Sequence, residues 1–494
     1  MVIVAVNPYL ENNFAPVELE ITADDLQVIG EIPLDLNGML IRNGPNPLFP
    51  SKPWYHWFDG HGMLHGVQIS NGKASYRNRY IQTKGWKSEK DAGRAIWPGI
   101  LEPPKQDQNF LPPANTANTA IVWHASRLLA LWEGGEPYQI ELPELKTVGS
   151  HTFGGELKSA FTAHPKIDFA TGEMMFFGYS WLNLPHLQYT VVSPQGKLLR
   201  TVPIDLPVGV MMHDFAITAH YTIFMNLPLT FSVERIQQGK PPLLFEKDIP
   251  SRFGILPRHG DNSSIRWFEA PSCYVAHTLN AYEEGDEVVL IACRMPSTTM
   301  LGLTGLPQNS QSDISFLYKW RFNLKTGGVI EEALDDIPSE FPRVNEQHLG
   351  HQTRYGYSSR MASNSVPLFD GLIKYDFTRV SSQIHEFGQG RYGGEGVFVP
   401  RPGAVDEDDG WLLTFVYDEG AKISELVVLN AKDIMAEPAA RIMIPQRVPY
   451  GFHGTWIEQT NLGAISDEGI TDCDVAAAMV VERRCLEDVT QSTL

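Results

Sequence analysis

The 494-residue chain lacks most of the features that would place it quickly. It has only four cysteines, Cys273, Cys293, Cys473 and Cys485. They are too scattered for a disulfide framework or a paired-cysteine zinc site, so a reduced chain in the cytoplasm is expected. No apolar run approaches the ~18 residues of a membrane-spanning helix. The opening stretch, MVIVAVNPYLENNFAPVELE, has neither the basic start nor the apolar core of a leader peptide. Basic clusters are missing too. Lys and Arg number 39 against 58 Asp and Glu, a net charge of −19. That argues against nucleic acid and against electrostatic attachment to anionic lipid, though not against apolar attachment. Sustained 3.6-residue periodicity is scarce. Short helices are expected only around Ser88–Ala95, Val233–Gln238 and Val475–Cys485.

Familiar catalytic signatures are also few. There is no HExxH and no GxSxG. Gly388-Gln-Gly390-Arg-Tyr-Gly393 formally matches a dinucleotide fingerprint, but a strand-like GVFVPRP follows it. Without a helix N-terminus there is nothing to hold a pyrophosphate, so no nucleotide cofactor is expected. His56, His61 and His65 in WYHWFDGHGMLHG are spaced as zinc ligands can be, yet the FDGHGM core reads better as a glycine turn between strands. His348 and His351 lie in a polar loop.

What the chain does have is turns and strands. Gly and Pro number 42 and 35, and 43% of residues are hydrophobic. β-Rich arms flank Asn71-Gly72, Ser126-Arg127, Thr171-Gly172, Gln195-Gly196, Gly285-Asp286 and Thr326-Gly327, each a hairpin signal. Pro-rich stretches at 102–113 and 240–257 read as long loops over a β scaffold. Hairpins recurring every few tens of residues over this length fit a propeller better than a sandwich. The expected fold is all-β: one propeller domain over 1–460 with dome insertions, then a tail over 461–494.

Four histidines stand inside apolar, strand-like segments: His164 in FTAHPKI, His213 in VMMHDFAIT, His277 in YVAHTLNAY and His453 in VPYGFHGTW. Imidazole is the commonest protein metal ligand, and burying it without a partner is unfavourable. Any one of them alone is more often a satisfied core residue. Three glutamates share such settings: Glu133 in LALWEGG, Glu340 in SEFPRVN and Glu395 in RYGGEGVFVP. A solvated strand end is the ordinary fate of Glu, whereas a carboxylate behind a metal-bound histidine fixes its tautomer. In chain order the seven lie at 133, 164, 213, 277, 340, 395 and 453, with gaps of 31, 49, 64, 63, 55 and 58. That is close to one inward residue per four-stranded blade, and only a radial fold brings such distant positions together.

FTAHPKI, MMHDFAIT, IRWFEAPSC, EFPRVN, RYGGEGVFVPR and VPYGFHG together resemble the carotenoid cleavage oxygenase family over roughly residues 20–458. Within it the plant and cyanobacterial branch that cleaves the 9,10 and 9′,10′ double bonds is most similar. The resemblance implies a seven-bladed β-propeller with a loop and helix dome over an axial Fe(II). It implies His164, His213, His277 and His453 as ligands, with Glu133, Glu340 and Glu395 orienting three of them. Four neutral imidazoles leave the ion its full +2 charge and open positions for O2. No redox cosubstrate is needed if the polyene supplies the electrons. Phe58, Trp132 and Phe341 match positions that line the family's substrate tunnel. Ala276 is small where relatives carry a bulky aromatic, which widens the space near the metal.

The implied partners are a carotenoid or apocarotenoid, O2 and, reversibly, a membrane surface. The segment 223–257 is expected to carry a membrane-dipping patch of the dome, or else a buried lid. Three other functions share parts of this pattern. Stilbene cleavage typically uses a Lys where Trp132 stands here. Retinoid isomerohydrolysis, and 15,15′ rather than 9,10 cleavage, would keep the same iron site. A non-enzymatic carotenoid carrier would have no reason to keep four histidines and three glutamates.

Overall fold

The computed structural model describes residues 7–49, 54–102, 114–304 and 313–463. The candidate helix at Val475–Cys485 and nearly all of the 461–494 tail fall outside them. So does most of the Pro-rich stretch 102–113.

The chain forms seven β-sheets of four or more strands, arranged as the blades of a propeller. Local chemistry makes the blades. Lys73–Tyr80 alternates inward Ala74, Tyr76, Asn78 and Tyr80 with more exposed residues, the two-residue period of a half-buried strand. It joins His61–Ser70 through Asn71 and Gly72, at φ 50° and 73°. Both residues of a primed hairpin turn need positive φ, and Asn-Gly tolerates it best. The remaining hairpin signals also fall at turns between paired strands, with one shift. The turn expected at Ser126-Arg127 is Ala125-Ser126, because Arg127 already pairs with His124.

The blades follow in chain order. The second blade comprises Ala120–His124, Arg127–Leu131, Tyr138–Glu141 and Lys146–Ser150. The third runs from Lys166–Ile167 to Leu198–Ile204, the fourth from Ala216–Ile217 to Arg266–Ala270, and the fifth from Tyr274–Glu284 to Val329–Ala333. The sixth spans Ser339–Arg343 to Ser381–Glu386, and the seventh Val397–Pro400 to Ala440–Ile444. The first blade is a composite. Gly38–Asn46, His61–Ser70 and Lys73–Tyr80 receive their inner strand from the far end of the chain, Gly454–Glu458. The seventh in turn receives its outer strand, Val28–Gly30, from the N-terminal region. The ring is therefore fastened twice.

The segment 223–257 is only partly dome. Tyr221–Asn226 and Ser251–Pro257 are paired central strands of the fourth blade, with Phe224, Phe253 and Leu256 fully buried. What departs from the blade lies between them: a two-stranded sheet (Leu229–Phe231 with Leu243–Phe245) and the helix Val233–Gln237. The other expected helix is present as Lys84–Ala92, four residues earlier than its sequence signal at Ser88. Thr83 caps it and Gly93, at φ 65°, ends it. Among the described residues no helix is long and apolar enough to cross a membrane.

The FDGHGM stretch is less of a turn than its glycines suggest. His56 caps a short 3-10 turn at Trp57–Asp59, and His61 already begins a blade strand. All three histidines there are buried with separate partners: His56 with Leu301 O, His61 with Glu89 and His65 with the Tyr76 hydroxyl. They form no shared site.

Candidate metal centre

The seven positions singled out in the sequence fall one on each blade. His164 and His213 precede the inner strands of the third and fourth blades, and His277 lies in the inner strand of the fifth. Glu340 is in the inner strand of the sixth, Glu395 just precedes that of the seventh, and His453 directly precedes Gly454–Glu458. Glu133 is the exception. It follows the second strand of its blade rather than the innermost.

Two inner strands bend to aim their residues. In the fifth blade Val275 pairs with Arg294 and Thr278 with Ala292, so Ala276 and His277 together face one partner residue. That is a β-bulge, which redirects the side chain it carries. The sixth blade slips register between Glu340 and Arg343, with Phe341 at φ 51°. A bulky residue at positive φ is strained, of order 1–3 kcal/mol, and such strain persists only where the surroundings enforce it. Here the bulge sends the Glu340 carboxylate to His277. It also lays the Phe341 ring 5.4 Å from the His277 ring and 5.2 Å from that of His453.

The four imidazoles converge, with candidate ligand atoms all within 4.8 Å of one another. His164 Nε2 lies 3.0 Å from His213 Nε2. Two nitrogens bound at right angles to one ion at about 2.1 Å would lie about 3.0 Å apart. Carboxylates stand behind three of the rings. His213 Nδ1 donates to Glu133 at 2.6 Å, His277 Nδ1 to Glu340 at 2.6 Å and His453 Nδ1 to Glu395 at 3.0 Å. A proton held on Nδ1 leaves the Nε2 lone pair directed inward. The inward Nε2 of His277 is buried and has no hydrogen-bond partner. This donor set fits a divalent transition metal. His164 has no carboxylate behind it among the described residues; its amide donates to Thr162 Oγ1.

Electrostatics favour the neutral imidazole at His164 and His453 and the charged one at His213. Burial, then the neighbouring imidazoles and Lys166, holds His164 well below the ordinary histidine value. Burial likewise lowers His453, against the pull of Glu395. His213 is raised, because the Glu133 carboxylate outweighs the opposing effect of burial. Burial alone would raise Glu395, but the Arg343 guanidinium at 3.1 Å and His453 bring it down to about 2.

Residues that sequence reasoning passed over tie the ligands together. Lys166 Nζ lies 2.8 Å from Asp214 Oδ1, and Asp214 Oδ2 accepts from both the amide and the hydroxyl of Thr278. Each stands one or two positions after a candidate ligand, so this buried chain couples the third, fourth and fifth blades. Arg343 does the same for the sixth, seventh and first blades, reaching Glu395 and the Gly454 carbonyl. The signal was present in the spacing: a charged or hydroxyl residue one or two positions after His164, His213 and His277 in an apolar context.

The apolar surroundings complete the site. Phe341 packs against Phe369, and Phe58 lies 5.6 Å from Phe452, the residue before His453. Phe58 also lines a small, partly open cleft together with Trp132, Tyr55, Leu48, Trp97 and Ile100. Trp132 directly precedes Glu133. Ala276 is buried among Met211, Tyr274 and Val275, in a cluster against which Phe58 also packs.

This arrangement has known counterparts. The model of the retinal pigment epithelial membrane protein family matches residues 14–458. The chain belongs to the carotenoid cleavage oxygenase family. It is 39% identical to a carotenoid 9,10(9′,10′)-cleavage dioxygenase of Crocus sativus, over 92% of this chain and 90% of that protein. A carotenoid cleavage oxygenase of Mycobacterium tuberculosis is 35% identical, over 92% of this chain and 98% of its own length. Among solved structures, lignostilbene dioxygenase of Pseudomonas brassicacearum superposes with a TM-score of 0.85 at 31% identity, covering 92% of this chain and 98% of that one. A Synechocystis apocarotenoid oxygenase variant gives 0.82 at 31% identity, covering 90% and 97%. Family membership accounts for the seven blades.

Proposed function

We propose that this family member is an Fe(II)-dependent dioxygenase that splits a conjugated C=C bond of a carotenoid or apocarotenoid with O2, giving two carbonyl products. The favoured positions are 9,10 and 9′,10′. One observation carries the reading: four imidazoles from four blades meet with lone pairs inward, three of them oriented by buried carboxylates, inside apolar walls. His164, His213, His277 and His453 would hold the iron, which when bound supplies a site for O2. Glu133, Glu340 and Glu395 keep three ligands in one tautomer. Phe341 and Phe452 exclude water beside the ligands, and Phe58 and Trp132 guide an apolar chain toward them. Ala276, small and buried, directly precedes His277. The polyene supplies all the electrons, so no reductant is needed.

The stilbene-cleaving structural neighbour makes phenolic stilbenes the competing substrates. The cleft argues against them, since no Lys is among the described residues that line it. For a membrane-dissolved substrate the protein makes reversible bilayer contact. Trp54, Ile100 and Leu101 are exposed and lie at or next to the cleft wall, and they suit that contact better than 223–257, where only Val233 and Ile249 are exposed large apolar residues.

Turnover of β-carotene under ¹⁸O2, followed by chromatography with mass detection, tests the reading. A C13 ketone and a dialdehyde, with label in both carbonyls once water exchange is excluded, are expected. Retinal as sole product overturns the 9,10 assignment, and label missing from one carbonyl overturns dioxygenation.

A further inference from the structure

The cleft that Phe58 and Trp132 line has a mixed wall, in which Asp59, His61, Glu89 and Thr116 stand among apolar residues. His61 begins the second strand of the first blade, and its Nε2 donates to Glu89 Oε2 at 2.9 Å. Glu89 is buried on the helix Lys84–Ala92, and its other oxygen accepts the amides of Ile96 and Trp97. The Glu89 carboxyl is held below its ordinary value: burial opposes this, but His61 and those two amides prevail. With its proton held toward Glu89, the imidazole presents the Nδ1 lone pair on its other side. His61 Nδ1 is buried and has no hydrogen-bond partner. Thr116 Oγ1, lining the same cleft, is likewise buried without a partner. Their backbones run side by side: Gly62, the residue after His61, donates its amide to Thr116 O at 2.8 Å.

Two buried polar atoms left without partners in the wall of one cleft are costly. They differ in what they offer. His61 Nδ1, in the tautomer set by Glu89, only accepts. The Thr116 hydroxyl can donate. A hydrocarbon ring satisfies neither, and a carbonyl satisfies only the donor. An alcohol satisfies both, donating to His61 and accepting from Thr116.

We propose that His61 and Thr116 form a receptor for a hydroxyl group on the terminal ring of the substrate, so that the enzyme selects hydroxylated carotenoids or apocarotenoids over their hydrocarbon counterparts. This deepens the cleavage reading and rests on it for the identity of the polyene. Both residues are specificity determinants and take no part in the bond cleavage.

The test compares a carotenoid bearing a ring hydroxyl with the same carotenoid lacking it, and uses two readouts. In steady-state cleavage the hydroxylated substrate should show a kcat/KM about 10- to 30-fold higher. T116V and H61F should each bring that ratio toward one, and H61N, which keeps a polar group, should retain part of it. The second readout is quenching of tryptophan fluorescence in the metal-free protein, since Trp97 and Trp132 line the cleft. It should show the same preference without turnover. Equal kcat/KM and equal quenching for both polyenes in the wild type would overturn the receptor. So would a preference that survives in T116V and H61F. Selective quenching by the hydroxylated polyene with no cleavage of either would support the receptor while overturning the cleavage reading.

Discussion

Glu340 and Glu395 do the same work for different histidines, but their own surroundings differ. Glu340 has one oxygen on His277 and the Phe341 amide, while its other oxygen is buried without a partner. Glu395 is shared between His453, the Gly454 amide and Arg343. Replacing either with Gln should weaken metal binding by about 10–100-fold, read by competition titration with a chelator. E395Q should also lower the melting temperature of the metal-free protein more than E340Q, because it leaves the half-buried Arg343 with only Glu346 as a charged partner. H277A should abolish metal retention with the propeller still folded. A second residue-scale prediction concerns acid. His56 is buried, accepts from the Phe58 amide and pairs with Leu301 O, and burial lowers it to about 4. The unfolded chain takes up this proton near pH 6.5, the folded chain only near 4, so stability falls as pH drops between those values. The loss is about 3 kcal/mol for this residue at ~1.4 kcal/mol per unit, with no further loss below pH 4. Urea unfolding across pH 4–7 should show a shallower slope in H56Q. The histidines were legible in sequence because an imidazole in an apolar strand is anomalous. The bulges at His277 and Phe341 were not, because backbone register depends on the neighbouring strand and leaves no local mark in composition.

Among elements, hairpins announced themselves wherever a turn needed positive φ and Gly or Asn supplied it. Ser251–Pro257 was misjudged as loop for a reason visible in its packing. Prolines bracket it, and Gly254 interrupts its apolar pattern. A Cβ at Gly254 would stand 2.8 Å from the Trp267 ring on the outer neighbouring strand, so the glycine there serves close strand contact and not a turn. The C-terminal end gives the element-scale prediction. Leu462 is buried against the first and second blades, with Met39, Ile121 and Ile457. A chain ending at Gly463 should keep its metal affinity and melting temperature. One ending at Phe452 removes the inner strand of the first blade together with a ligand, and should fail to fold. Loss of iron or precipitation of the longer form would show that residues beyond 463 are packed into the fold.

At the scale of the molecule, the radial arrangement explains how seven residues spread over 320 positions meet at one axis. The bilayer contact proposed at the cleft mouth also has a test at this scale. With a net charge of −19, attraction to anionic headgroups is not available. Sedimentation with neutral vesicles should therefore show binding that persists in high salt, and that weakens in a W54S/I100S double variant at the cleft mouth. Binding abolished by salt would indicate an electrostatic mode and contradict the placement.

The strand that closes the ring begins one residue after His453. The last ligand and the last seam of the scaffold therefore arrive in the same few residues of the growing chain. His164 leaves the ribosome 289 residues earlier, a delay of roughly 15–60 s at ordinary rates of synthesis. Throughout that interval the nascent chain carries at most three of its four imidazoles, on a ring still open to water. A metal ion captured then would sit solvated and exposed to oxygen. With the last of the four candidate ligands placed at the clasp, the complete histidine cluster forms only in a finished propeller.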